Sequence, residues 1–122
     1  MNSFVFFEST KNSEAIAKAI QESIATILFS NYETFGIVAI ESLACGVPVI
    51  ATRIPTFEAL ISVKEGILVT PKATTELAEA MQTLLSNPTI FENNALQTKA
   101  LIYDYTVIAK EFTELYKTIL RT

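Results

Sequence analysis

Apolar residues along this chain change their period several times, and each change marks an element. Residues 3–7 form a short apolar, aromatic run and predict a strand. Over residues 12–23, Ile16, Ala17, Ala19, Ile20 and then Ile24 recur at helical spacing. Asn12 or Ser13 can cap that helix, and Glu14 in its first turn complements the dipole. Residues 25–30, 47–52 and 66–70 are continuous apolar runs of strand length. Runs with no polar face suit strands covered by helices on both sides. Helical patterns fill the gaps between them. Residues 35–45 end at Gly46, a natural left-handed stop, with Pro48 beyond. Residues 55–62 predict a short helix, and residues 74–85 an amphipathic one capped by Thr74 or Thr75. Residues 89–102 and 107–120 predict two more helices, the last with Ile108, Phe112, Leu115, Tyr116 and Ile119 on one stripe.

The order is thus β-α-β-α-β-α-β-α followed by tail helices. Such alternation predicts an α/β fold: a partial Rossmann-like parallel sheet of about four strands, flanked by helices and joined by right-handed crossovers. No internal repeat or low-complexity tract divides the chain, so its 122 residues read as a single domain or part of one. Ligands of such sheets bind beyond the carboxyl ends of the strands. The exits to inspect are therefore residues 30–36, 52–58 and 70–74.

Composition narrows the function classes. Half of the residues are hydrophobic and 18% are charged, which supplies a core and argues against disorder. A net charge of −4 with no basic cluster leaves nucleic-acid binding without an electrostatic footing and disfavours docking on anionic lipid. The single cysteine, Cys45, forms no internal disulfide and fits a reducing cytoplasm. The apolar start is too short for a signal-peptide core. Histidine is absent, which excludes Ser–His–Asp and Cys–His catalysis and any histidine metal site within these residues.

The chemistry concentrates in Ser30-Asn31-Tyr32-Glu33-Thr34-Phe35-Gly36, at a strand exit feeding a helix. Glycine is costly in a helix but useful where a ligand approaches the backbone closely. First-turn amides lack intrahelical acceptors and point outward, which makes an anion site. Here Phe35, Gly36 and Ile37 would supply them. An ordinary helix start with a tolerated glycine explains the same residues. Glu41 lies about two turns on, among Val38, Ala39, Ile40, Leu43 and Ala44. A carboxylate in so apolar a helix is costly unless partnered, and vicinal hydroxyls of a sugar or ribose are suitable partners. A glutamate on the exposed stripe of an amphipathic helix is the other reading of the same position.

The run FSNYETFGIVAIESLACGVP, residues 29–48, closely resembles the donor-binding segment of the GT-B-fold retaining glycosyltransferases of family 4, group 1. The shared features are a serine, Glu-x-Phe-Gly, an aliphatic pair, a second glutamate, Cys-Gly and a Pro-Val strand. Glu33 and Glu41 have the E-x7-E spacing of that family. The resemblance runs from about residue 3 to 116 and is most specific over 29–88. It implies the C-terminal part of a nucleotide-sugar-binding Rossmann domain, acting in hexose transfer to a glycan or lipid-linked acceptor, as in polysaccharide biosynthesis. It implies that Glu33 contacts donor sugar hydroxyls and helps stabilise the reacting centre. The amides of Phe35, Gly36 and Ile37 would meet the diphosphate, and Glu41 would hold the ribose hydroxyls. Glu58 matches an acidic position with a structural role, and Cys45 a small buried one. No cofactor is implied, since the nucleotide diphosphate sugar is the substrate, and no Asp-x-Asp motif implies a metal.

The sequence departs from the family in three places. A Gly-Gly stretch normally follows the Ala-Thr strand, whereas here Arg53-Ile54-Pro55-Thr56-Phe57-Glu58 is shorter and glycine-free. The acceptor domain and the first half of the donor domain, with the Arg and Lys that neutralise the diphosphate, are not among these residues. Of the nine basic residues, Arg53 is the one beside both a strand exit and the motif. Transition-state charge on a leaving diphosphate needs strong electrostatic stabilisation, so the isolated chain is expected to be inactive. A four-strand partial sheet also leaves an unprotected edge, which a homodimer or another strand could cover. Residues 4–7 are the candidate swapped segment. The competing readings are a non-catalytic Rossmann-like remnant or interaction module, and a flavodoxin-like receiver. The receiver lacks its acidic cluster and its late lysine here. The expected location is the cytoplasm, with membrane association through the acceptor domain of a full-length protein.

Overall fold

The computed structural model describes residues 4–9 and 12–120. Helix α1 (Ser13–Gln21) precedes β1 (Thr26–Leu28), α2 (Ile37–Ala44), β2 (Val49–Thr52), α3 (Pro55–Leu60) and β3 (Gly66–Val69). Then come α4 (Thr74–Ser86), α5 (Asn93–Leu101) and α6 (Tyr105–Leu120). Among the described residues the sheet has three strands in the order β1-β2-β3, both pairs parallel. Val49 stands opposite Thr26 on one side and Gly66 on the other.

The central strand shows why continuous apolar runs form this sheet. All four residues of β2 are buried. Val49 and Ala51 join the core shared with Ala39 and Leu43 of α2, Phe57 and Leu60 of α3, and Leu96 and Ala100 of α5. Ile50, one position out of phase, faces the opposite layer with Val69, Ala80 and Leu84. Side chains alternate across a strand, so helices on both faces demand apolar residues at every position. Each fully buried Val, Leu, Ile or Phe contributes about 1.5–3 kcal/mol.

A buried hydroxyl ties α2 to the strands beside it. Ser42 Oγ lies 2.8 Å from both Thr26 Oγ1 and the Val47 carbonyl. The carbonyl can only accept, so Ser42 donates its single proton there and accepts from Thr26.

The expected first strand is absent. Residues 4–7 carry no strand pairing, and Phe4, Phe6 and Phe7 are more than four-fifths exposed; Ser3 lies outside the described residues. A strand needs a neighbouring ladder as well as apolar composition, and among the described residues none stands beside this run. At the chain's other end the α6 stripe is real but unburied: Phe112, Leu115, Tyr116 and Ile119 are all exposed. Phe112 and Tyr116 stack on one another, with ring centroids 6.3 Å apart.

The two sheet edges differ. Thr26 turns its amide to β2, donating to Pro48 (3.0 Å), so alternation turns the backbone of Ile27 to the open side. Among the described residues no strand covers that side, and the Ile27 side chain is exposed. On the other edge, Arg53 N–H donates to Val69 (2.7 Å), which places the Leu68 carbonyl and Thr70 amide on the outer side of β3. Arg53 Nη2 reaches the Leu68 carbonyl at 3.4 Å, and Thr70 N–H donates to Glu76 Oε2 at 2.6 Å. Gly66 N–H donates to the Ser62 carbonyl at 3.3 Å. The chain's own groups thus occupy much of the β3 edge, whereas no such bond to the outer side of β1 is seen among the described residues.

Candidate functional site

The three strand exits meet at the carboxyl edge, where hydroxyls and amides tie them together. Thr52 Oγ1 at the end of β2 donates to the Ser30 carbonyl just beyond β1. Thr56 Oγ1, in the first turn of α3, donates to the Glu33 carbonyl at 2.6 Å. Lys72 turns the chain after β3 with a left-handed backbone, φ 66°.

Gly36 sets the geometry of the motif. It is the N-cap of α2 with φ 76° and ψ 37°, a left-handed conformation that an L side chain adopts at a cost. Its carbonyl accepts from Ala39 (3.0 Å) and Ile40 (3.3 Å). It is buried against α3, and a Cβ there would stand 2.7 Å from Leu60 Cδ1. Helix α2 therefore starts at Ile37, two residues later than its sequence pattern predicts. The outward amides of its first turn are those of Ile37 and Val38, with Phe35 and Gly36 in the approach loop. Val38 was not singled out from the sequence. A glycine standing before an aliphatic pair, read as an N-cap, would have pointed to it.

Glu33 and Glu41 occupy different settings. Glu33 is half-buried in the loop, with its backbone carbonyl held by Thr56. Glu41 is exposed on α2, and its carboxylate forms no hydrogen bond or ion pair among the described residues. Of the two readings of its position, the exposed stripe holds: Ile37 and Val38 are themselves exposed, and the buried face of α2 is Ala39, Ser42 and Leu43. One turn on from Glu41, Cys45 packs with Sγ 3.9 Å from the Ala17 carbonyl. Burial pushes its thiol pKa up, and the Glu41 carboxylate adds to the shift.

Arg53 serves β3. Its guanidinium reaches the outer carbonyl of Leu68, on the far side of β2 from β1 and the Glu33 loop. Glu58 is exposed in the first turn of α3. Two hydrogen bonds from Thr70, first the hydroxyl and then the amide, hold Glu76 below the usual carboxylate range, with a smaller pull from Arg53. A cavity of about 680 Å³, lined by Cys45, Pro48, Phe91 and Asn93, lies at the opposite end of the strands. The candidate site is thus an open edge.

Comparison with known proteins bears on this edge. The family model described as "Glycosyl transferases group 1" matches residues 2–101. The chain belongs to this family. The group 1 match spans the motif, all three strands and the whole of α5. An uncharacterized glycosyltransferase of Methanocaldococcus jannaschii is 32% identical over 117 residues, covering 93% of this chain and 30% of that protein. A phosphatidyl-myo-inositol mannosyltransferase of Mycobacterium leprae is 32% identical over 90 residues, covering 71% of the chain and 24% of the relative. Sucrose-phosphate synthase from Thermosynechococcus elongatus superposes with a TM-score of 0.84 at 28% identity. That match covers 95% of this chain and 30% of the synthase. The group 1 chain therefore spans about a third or less of these relatives. Its parallel, helix-flanked sheet agrees with the GT-B Rossmann-like fold expected from the sequence.

Proposed function

We propose that this chain is the donor-side part of a retaining glycosyltransferase, holding a nucleotide diphosphate sugar at the carboxyl edge of its sheet. The observation that carries this reading is the amino end of α2, which meets that edge with first-turn amides turned outward. The diphosphate sits on the backbone of Phe35, Gly36 and Ile37, with Val38 adding a fourth amide. Glu33 faces the sugar from the loop and helps stabilise the charge that develops on it. Glu41, exposed and unpartnered among the described residues, accepts from the ribose hydroxyls.

Transfer itself needs an acceptor-binding partner domain and cations for the diphosphate. Arg53 is engaged at β3, so those cations come from elsewhere and the chain alone binds weakly without turnover. Titration with UDP, GDP and their sugars tests this. The expected result is weak binding that disappears in Glu41→Ala without loss of folding. Tight binding indifferent to Glu41→Ala overturns the site assignment, and robust transfer by the chain alone overturns its dependence on a partner.

The open β1 edge supports a second reading, a non-catalytic interaction module that associates through that strand, including with a second copy of itself. Gel filtration with light scattering, showing dimers that an edge-blocking Ile27→Lys dissociates, would favour it. No helix among the described residues is long and apolar enough to cross a membrane. The proposed setting remains the cytoplasm, with any membrane contact made by the acceptor domain.

A further inference from the structure

We infer that Thr56 is a positioning residue for Glu33, holding the loop that carries it. The inference rests on the donor reading above. Only Arg53 and Ile54 separate β2 from α3, and Pro55 begins α3 at its first position, where a fixed φ and a missing N–H suit a helix start. So short a connection brings the first turn of α3 directly against the loop that carries Glu33. The loop is then held at three points. Thr52 Oγ1 donates to the Ser30 carbonyl, Thr56 Oγ1 donates to the Glu33 carbonyl at 2.6 Å, and Gly36 is pressed on Leu60, Phe57 and Thr56. The first and third contacts fix the ends of the loop. The second falls on Glu33 itself.

Holding the Glu33 carbonyl fixes the plane of the Glu33–Thr34 peptide and with it the direction in which the Glu33 side chain leaves the backbone. Thr56 and Glu33 are both half-buried, so water competes for this bond less than at a fully exposed turn. Thr34 and Phe35 are exposed, so a donor can reach the stretch that Thr56 and Gly36 bracket. A positional error of about 1 Å in a group that contacts a reacting sugar can cost on the order of a hundredfold in rate. A hydroxyl that removes that freedom acts first on the sugar contact, because it holds Glu33 itself, while Gly36, Ile37 and Val38 of the diphosphate site are also fixed by the start of α2 and its packing on α3. Thr56 therefore affects the sugar more than the diphosphate.

The test compares wild type, Thr56→Val and Thr56→Ser, titrated with UDP against UDP-glucose and GDP against GDP-mannose. In Thr56→Val the preference for the sugar nucleotide over the bare diphosphate should fall about three- to tenfold, the range for one lost hydrogen bond. Affinity for the bare diphosphate should stay within about twofold, and Thr56→Ser, which keeps the hydroxyl, should restore the preference. An unchanged preference in Thr56→Val, or equal losses for both ligands, overturns the inference. Backbone order parameters separate its failure from failure of the donor reading. If wild type binds no nucleotide, the donor reading falls by itself. Thr56 still positions the loop if order at Glu33 to Phe35 drops in the valine variant alone, from about 0.85 toward 0.6. Equal order in all three proteins overturns the positioning role as well.

Discussion

Replacing Gly36 by alanine should destabilise the fold through two additive causes. The first is the backbone: φ 76° lies in the left-handed region, where an L residue costs about 1–2 kcal/mol. The second is contact. The new Cβ would stand 2.7 Å from Leu60 Cδ1, so Leu60 must retreat by about 0.7 Å to reach ordinary van der Waals separation. Leu60 belongs to the core shared by α2, α3 and β2, and overpacking such a side chain costs about 1–3 kcal/mol. Together these give about 2–5 kcal/mol, a large share of the roughly 5–15 kcal/mol of a typical domain. In a chain of this size that lowers Tm by about 8–20 °C. Urea unfolding followed by circular dichroism measures the loss. Gly46→Ala is the control for the backbone part. It has the same left-handed φ of 75°, but the nearest atom to its Cβ is Asn93 Cβ at 3.3 Å, so about 1–2 kcal/mol is expected. A double-mutant cycle with Leu60→Ala isolates the contact, because the truncated side chain should absorb about 1 kcal/mol or more of the Gly36→Ala penalty. Equal losses at the two glycines, together with strict additivity at Leu60, would refute the steric reasoning.

Two further outcomes follow from the hydrogen bonding. Ser42→Ala should cost about 1–3 kcal/mol in urea unfolding, since it leaves the Val47 carbonyl without its donor in the core. A loss below about 0.5 kcal/mol would mean that the carbonyl finds another partner. The Glu76 carboxylate is held below its ordinary pKa by the Thr70 hydroxyl and amide, so its contribution is fully present above about pH 4.3 and is lost as pH falls through the lowered folded value. Wild type should therefore melt above Glu76→Ala near neutral pH, and the gap should close in acid. A gap independent of pH contradicts the assignment.

Most of the helices and strands were legible because their causes are local. Residues 47–52 read as a strand because both faces of β2 are covered, and Asn12 read as a cap because its Oδ1 accepts from Ala15 N–H at 2.9 Å. Residues 4–7 read as a strand on the same grounds and are not one, because the neighbour a strand needs is not specified within the run. At α4 the N-cap is Ala73, with neither Thr74 nor Thr75 in that place, and Glu76 reaches back to Thr70. Side-chain identity favoured the threonines, but the path of the chain through left-handed Lys72 decided the helix start. At the candidate site, the spacing of Glu33 and Glu41 was legible. The exposure of Glu41 was one of the two readings of its position, but the diversion of Arg53 to β3 and the grip of Thr56 on Glu33 were not legible. Each depends on residues that meet only once the sheet has formed.

The unequal edges of the sheet limit what strand addition can build. Addition repeats for as long as each newcomer brings a fresh receptive side. Among the described residues one side, along Ile27, is uncovered, while on the other Arg53 and Glu76 take the Leu68 carbonyl and the Thr70 amide. If two such chains met along the uncovered side, the partly occupied β3 edges would face outward and would resist the addition of a third strand more than a bare edge does.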